Sequence, residues 1–443
     1  MKIDGQETVE LLQQLVAIDS VNPSLVAGSR GEKPAAEFLC GWLRERGIDV
    51  RLEEAAPGRP NVVAWLRTEQ GRVEGGEGRE EEKNRNQKLE IRKQKAEARG
   101  AETEKPRAAL AIVAHIDTVG AGDMPEPFTP REHDGRLYGR GALDIKSGVA
   151  AMCAAAAAVV RGEGSRERAE AKTRNQKSEI KNQKPSGGQG VLIAAVVDEE
   201  CNSIGTQELI RRYAADAAVV LEPTGLKLCI AHKGYAWFEI TTQGRAAHGS
   251  LPAEGRDAIR MMGRVLNVLD ALDRKLAELP AHPLLGHASL HASIIEGGHE
   301  LSSYPAACRL ELERRTLPGE SDAQVEVELR GLLESLRARD AEFAATLKPM
   351  ASRPPYEIAP DAPIAAAAAE AIREVTGGVE LCGMPFWTDT ALLAAAGTPG
   401  VVFGPRGRGL HGAEEYVELN SVLICAEVLR RIILKVAREA GEE

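Results

Sequence analysis

Hydrophobic positions in the first half of the chain alternate between two periods. Residues 7–17 and 33–46 carry them at helical spacing, whereas "NVVAWL" (61–66) is a short β-branched run that predicts a strand. The runs "ALAIVAH", ending at His115, "VLIAAVV" (191–197) and "AAVVLE" (217–222) predict buried strands, and helices are expected over 147–160 and 204–214. Apolar strands alternating with helices are the pattern of an α/β layered domain. From about Cys229 the order becomes β-α-β-β-α-β: "AWFEITTQG", a helix over 256–277, "ASLHASIIEGG", "ACRLELERRT", a helix over 321–339 and "AEFAATLKPM". That order predicts a ferredoxin-like module. After the Pro-rich "SRPPYEIAPDAP" the first pattern resumes, with helices over 361–376 and 420–440 flanking "LLAAAGTPGVVFG". The expected organisation is thus one domain built from 1–230 and 351–443, with 231–350 inserted into it.

Two stretches break the pattern. Residues 69–107 and 161–189 are charged, free of aromatic residues and rich in Gln, Asn and Lys, a composition that buries too little apolar surface to offset chain ordering. They also repeat each other, in "NQKLEIRKQK" (86–95) and "NQKSEIKNQK" (175–184), which points to two related loop insertions. The first falls between two predicted strands, where added length costs little stability. Removing both changes the charge picture: they carry roughly +1 and +4 of a total of −10, so the remaining body is more acidic still. With no basic stripe interleaved with aromatics, an extended nucleic-acid surface is not expected. The N-terminal "MKIDGQETVELLQQLVAIDS" is polar and amphipathic, and the apolar runs read as too short to span a bilayer, so neither a leader nor a membrane span is expected. Seven scattered cysteines without a CxxC pair fit a reducing, cytoplasmic compartment.

The candidate chemistry lies at strand ends. His115 and Asp117, the run Asp198-Glu199-Glu200, and Glu222 each close a buried apolar strand, and in an open α/β sheet ligands bind outside the carboxyl ends of the strands. Several carboxylates converging on a histidine repel one another unless a cation sits among them. Imidazole plus carboxylates, with no cysteine, suits zinc and also manganese or cobalt. Asp117, two residues after His115, is placed to hold the imidazole N–H. Of the neighbours Glu199 and Glu200, one can bind metal while the other reaches water. "YGRGALDIKSG" (138–148) imitates a phosphate-binding turn, but Ile145 stands where a glycine should precede Lys146, and Asp144 carries the wrong charge. Asp144 as a cap of the following helix remains the alternative.

Seven segments, "HIDTV", "GRGALDIKSG", "VDEECNSIG", "LEPT", "GRAAHGSLPAEGRDAI", "ERRTLPGE" and "GPRGRGLHGAEEYV", give the chain its resemblance to the dinuclear-zinc amidohydrolases that include acetylornithine deacetylase, succinyl-diaminopimelate desuccinylase, aminoacylase and glutamate carboxypeptidase. They occur in that family's order and span nearly the whole chain outside the two insertions. The resemblance implies an α/β fold with a mixed-sheet, zinc-peptidase-like catalytic domain and an inserted ferredoxin-like α+β dimerisation (lid) domain. It implies that Asp144 bridges two metal ions, with His115 and Glu222 on one and Glu200 and His411 on the other, and that Glu199 is the general base. A strained peptide bond after Asp144 is part of that expectation. His248 in the small module would reach the substrate carbonyl, often in a neighbouring subunit's site, and Arg315 would bind the substrate carboxylate through its fork of donors. Two positions depart from the family pattern: Glu313 stands where Asp is frequent, and Ser302 where Asn is common. Both touch substrate recognition rather than metal chemistry.

These readings predict a homodimeric amide hydrolase with two divalent metal ions, zinc first and cobalt or manganese next, acting on an N-acyl amino acid. A carboxypeptidase or dipeptidase acting on a short peptide is the alternative. The contrasting class is an inactive member that binds amino-acid derivatives or serves as a scaffold; it would have lost ligands that are all present here.

Overall fold

The computed structural model describes residues 2–69, 72–74, 105–170 and 190–442. Most of the two hydrophilic stretches, including both related decapeptides, lies outside the described residues. The chain forms two compact units, one of Met1–Cys229, Ile358–Glu380 and Thr388–Glu443, the other of Ile230–Glu357 and Leu381–Trp387. The chain therefore leaves the second unit at Glu357, not 350, and returns to it for seven residues, where the amide of Lys233 donates to the carbonyl of Met384 at 3.1 Å.

The first unit is built on a mixed sheet. Its strands run in the order Asp49–Ala56, Arg59–Glu69, Val191–Val196, Leu110–His115, Ala218–Leu221 and Gly400–Phe403. The first two junctions are antiparallel and the last three parallel. Every residue of the four parallel strands is buried, as expected for a sheet covered on both faces, and this is why they read as unbroken apolar runs. Because they are parallel, their carboxyl ends share one edge. His115 pairs with Val196, and Val220 pairs with Val113, so the chain just beyond Val196 and Leu221 arrives beside His115.

Helix Ser147–Glu170 extends past the predicted 160 and packs against helices Gly5–Ala17 and Leu419–Glu442. Its alanines from Ala150 to Ala158 are buried, small enough to admit close neighbours. The segment Ala142–Gly162 corrects one sequence expectation: by length and composition it could cross a membrane, yet 89% of its apolar window is buried inside this unit, as in a core helix. A small four-stranded sheet escaped the sequence reading altogether. Its strands, Gly407–Arg408, Tyr416–Glu418, Arg136–Tyr138 and Arg131–His133, have two or three residues each, too few to show a period.

The second unit is a four-stranded antiparallel sheet, in the order Ser289–Gly297, Ala307–Thr316, Gly234–Gln243, Ala345–Arg353, with helices Ala258–Glu278 and Asp322–Arg339. This is the expected β-α-β-β-α-β arrangement. Helix Ala258–Glu278 buries Met261, Met262, Val265, Leu269, Leu272 and Leu276, one stripe at helical spacing, in a core shared with Phe238, Ile240, Leu310 and Leu312. Both helices start at side-chain caps: Asp257 accepts from Arg260 N at 2.9 Å, and Ser321 with Gln324 forms a capping box.

His232 gives this unit an acid-sensitive point. Its Nδ1 lies 3.0 Å from the Lys233 carbonyl, its Nε2 is buried without a hydrogen-bond partner among the described residues, and its ring packs against Tyr356 and Trp387. Burial pushes its pKa down to about 4. The unfolded chain, with a His pKa of about 6.5, therefore takes up a proton that the fold refuses, and stability falls as pH drops from about 6.5 to about 4. The expected loss is about 3 kcal/mol. Urea unfolding of the intact protein and of His232→Phe at pH 7 and 4.5 should show a smaller acid loss in the variant; equal losses would contradict this.

Candidate metal centre

The turn Gly139–Lys146 presents Asp144. Gly139 and Gly141 take φ of +152° and +78°, and a Cβ on Gly141 would come within 2.6 Å of the Thr118 methyl, so a side chain there is excluded. The Asp144–Ile145 peptide bond is cis. Among the described residues, no N–H of the following helix donates to the Asp144 carboxylate. Its two carboxylate oxygens face different histidines instead: Oδ1 is 3.3 Å from His115 Nε2, and Oδ2 is 3.3 Å from His411 Nε2. His411 Nε2 is also 3.2 Å from Glu200 Oε2, and His115 Nε2 is 4.0 Å from Glu222 Oε2. Ligand atoms of His115, Glu199 and Glu222, and of His115, Asp144 and Glu200, lie within 4.8 Å of one another. All the residues expected as ligands, together with Glu199, are thus brought to one place within the first unit.

Asp117 is beside them and faces the imidazole, as its spacing suggests, while its carboxylate also holds a neighbouring turn. His115 Nδ1 is 3.0 Å from the Asp117 backbone carbonyl and 3.5 Å from its carboxylate. The strand has ended at His115, so the carboxylate is released from the strand's alternation and accepts the N–H groups of Glu199 and Glu200, each at 3.2 Å, and the Asn22 amide at 2.8 Å. The strand ending at Val196 has likewise turned before Glu199: Asp198 has a φ of +67°, which is how two adjacent glutamates both reach the cluster.

The donor set fits divalent cations. Burial, together with Glu222, pushes Glu199 well above the usual carboxylate range; burial, with Asp144 and Glu200 nearby, does the same to Glu222. Burial and then Asp144 raise Glu200, whose Oε1 is buried without a hydrogen-bond partner among the described residues. Burial also works against a charged Asp144, but the two imidazoles hold its carboxyl well below its ordinary value. His411, hydrogen-bonded to Asp144 and Glu200, is pushed up to about 10, and His115, despite burial, is raised by Asp117 and Asp144. Protein groups alone therefore relieve the repulsion by taking up protons, on the raised glutamates and on both imidazoles. Divalent cations would supply that charge with the imidazoles neutral and able to ligate. Nitrogen–oxygen separations of 3.2–3.3 Å also match the edges of a tetrahedron with bonds of about 2.0–2.1 Å.

His248, Ser302 and Arg315 belong to the second unit. His248 is exposed, with Nδ1 2.7 Å from the Ser250 hydroxyl, and it bridges Ser303; Gly249 N donates to the Ser302 carbonyl at 2.6 Å, so the two turns adjoin. Arg315 is half-buried, its Nε 2.6 Å from Glu313 Oε1 and its guanidinium 5.6 Å from the Tyr235 ring.

Several groups that shape the centre carry no sequence signal that was read. Asp389 is buried in the first unit; burial pushes it up to about 6 against a 2.5 Å bond from the Thr206 hydroxyl. Arg59 ion-pairs Asp198 at 2.9 Å and Glu32, and donates to Asn22, which holds Asp117. A charged residue at the start of the strand run "RPNVVAW" was the available clue. Glu32 and Asp198 are fully buried, so Arg59→Met leaves two unpaired charges; a loss of about 3–5 kcal/mol in denaturant unfolding is expected. An unchanged unfolding midpoint would contradict it.

The profile described as Peptidase family M20/M25/M40 matches residues 111–168 and 178–435. The chain is 29% identical over 333 residues to acetylornithine deacetylase of Myxococcus xanthus, covering 74% of this chain and 80% of that protein. Among solved structures it resembles a tripeptidase from Staphylococcus aureus, with a TM-score of 0.70 and 19% identity over 99% of this chain and 100% of that one. It also resembles a dinuclear metal binding peptidase from Bacillus subtilis, with a TM-score of 0.65 and 15% identity over 98% of each chain.

Proposed function

The chain belongs to peptidase family M20/M25/M40 and is a metal-dependent hydrolase of that family; from this premise we propose that it cleaves the amide bond of an N-acyl amino acid, using two divalent metal ions. The observation that carries the metal reading is Asp144, whose two oxygens face His115 and His411 separately. His115, Asp144 and Glu222 would hold one ion, and Asp144, Glu200 and His411 the other. Imidazole plus carboxylates among these donors suits zinc, with cobalt or manganese as substitutes. Ions held there would supply polarisation of the scissile carbonyl and a lowered pKa of water.

The protein's own groups do the rest. Glu199, half-buried beside His115 and Glu222, takes a proton from the attacking water and returns it to the departing amine nitrogen. Asp117 fixes the backbone of Glu199 and Glu200 so that both carboxylates stay in place. Arg315 binds the substrate's carboxylate and His248 its carbonyl oxygen. Ser302 belongs beside His248 in substrate contact, supported by the adjoining turns. We place the enzyme in the cytoplasm, a reading supported by seven scattered cysteines without a CxxC pair. It works as a homodimer through the second unit, whose edge strand Ser289–Gly297 leaves Ile294 and Ile295 about half exposed; light scattering on the purified protein checks the mass.

The relatives support two substrate classes, deacetylase by sequence and peptidase by fold. Zinc-loaded protein is expected to release acetate or succinate from N-acyl amino acids faster than it releases amino acids from di- and tripeptides. Faster peptide cleavage would transfer the assignment to a peptidase; bound metal without turnover of either class would favour a binding protein.

A further inference from the structure

The turn that carries Asp144 does present its N–H groups to an anion, and the anion is Glu415. This side chain is buried. Its Oε1 accepts the N–H of Leu143 at 2.8 Å and of Asp144 itself at 3.1 Å; its Oε2 accepts the N–H of Gly141 at 3.0 Å and Arg140 Nη1 at 2.7 Å. Arg140 Nη2 donates in turn to the Gly412 carbonyl at 2.9 Å, one residue from His411. The small sheet sets this meeting: Tyr416 pairs with Tyr138, so the residues on either side of that pair, Glu415 and Gly139, come together, with Gly139 N 3.1 Å from the Glu415 carbonyl.

We propose that Glu415 is a positioning residue of the metal centre, locking the Gly141–Asp144 turn to the His411 loop so that Asp144 can serve two ions at once. The inference rests on the reading of Asp144 as a shared ligand. Each Glu415 oxygen already accepts two hydrogen bonds, which uses the acceptor capacity of a carboxylate and leaves none for a metal or substrate. It acts through Asp144 rather than on the reacting atoms. Both oxygens are needed: in Glu415→Gln the amide NH2, whichever way it is turned, meets N–H groups that have lost their acceptor.

The test compares full-length E415Q, E415D and D144N with the unaltered protein. Folding is followed by circular dichroism, zinc affinity by competition with a chelating dye, and ligand geometry by the visible spectrum of the cobalt(II)-loaded protein. Folded E415Q is expected to bind zinc about 10–100-fold more weakly and to show an altered cobalt spectrum. Its kcat on an N-acetyl amino acid should fall while KM stays within about twofold. Unchanged zinc affinity and cobalt spectrum in folded E415Q, with D144N stripped of zinc, would overturn the role of Glu415 and leave the ligand reading standing. Full zinc binding and activity in D144N would overturn that reading, and this proposal with it. If E415Q does not fold, E415D, which withdraws the carboxylate by one methylene, carries the same comparison; if neither folds, Glu415 serves folding alone and the proposal fails.

Discussion

Glu199→Gln is expected to lower kcat by about 10²–10⁴-fold while the protein keeps its metal. The change preserves shape and burial but removes the only group assigned to accept the water's proton. Glu199 is suited to that task because burial and the nearby Glu222 raise its proton affinity well above that of an ordinary glutamate. Its neighbours decide the interpretation. Because Glu199 clusters with His115 and Glu222, loss of metal from the variant would make it a ligand instead of a base. Metal analysis and steady-state kinetics on the same preparation separate the two, and near-normal turnover would reject the base assignment.

Asp144→Asn is expected to remove activity to background and to weaken the hold on both ions, because one carboxylate faces both histidines. An amide offers one oxygen where two are used, and it cannot balance the positive charge that His115 and His411 or their metal partners bring. Replacing a ligand that serves one ion should behave differently: His411→Ala, which leaves His115 and Glu222 untouched, should retain part of the bound metal. Equal metal loss in Asp144→Asn and His411→Ala, measured by atomic absorption after identical dialysis, would argue against a shared ligand.

Much of this was legible in the sequence, for a physical reason. Strands buried on both faces must be apolar throughout, so "LAIVAH" and "VLIAAVV" announce themselves, and a polar residue at their carboxyl ends stands out against that background. The β-α-β-β-α-β order of the second unit was equally readable, because its helices carry long apolar stripes between regular caps. What stayed hidden depends on contacts between residues far apart in the chain. Arg140 meets Glu415 across 275 positions, and the strands that join them are too short for any period. The glycines of "YGRGALDIKSG" suggested an anion site, and the turn does hold one, but nothing local says that the anion is a glutamate near the other end of the chain. Asp117 shows the same limit: its spacing from His115 predicts an imidazole partner, but not that its carboxylate also accepts the Glu199 and Glu200 amides once the strand has ended.

The central claim, amide hydrolysis at a centre of two divalent ions, is tested most directly by stripping the protein with a chelator and titrating zinc back while following release of acetate or succinate from N-acyl amino acids. No turnover is expected in the stripped protein, with a rate that rises to a plateau at about two equivalents of zinc. Undiminished turnover without metal, or none on any amide substrate with the zinc sites filled, would contradict it.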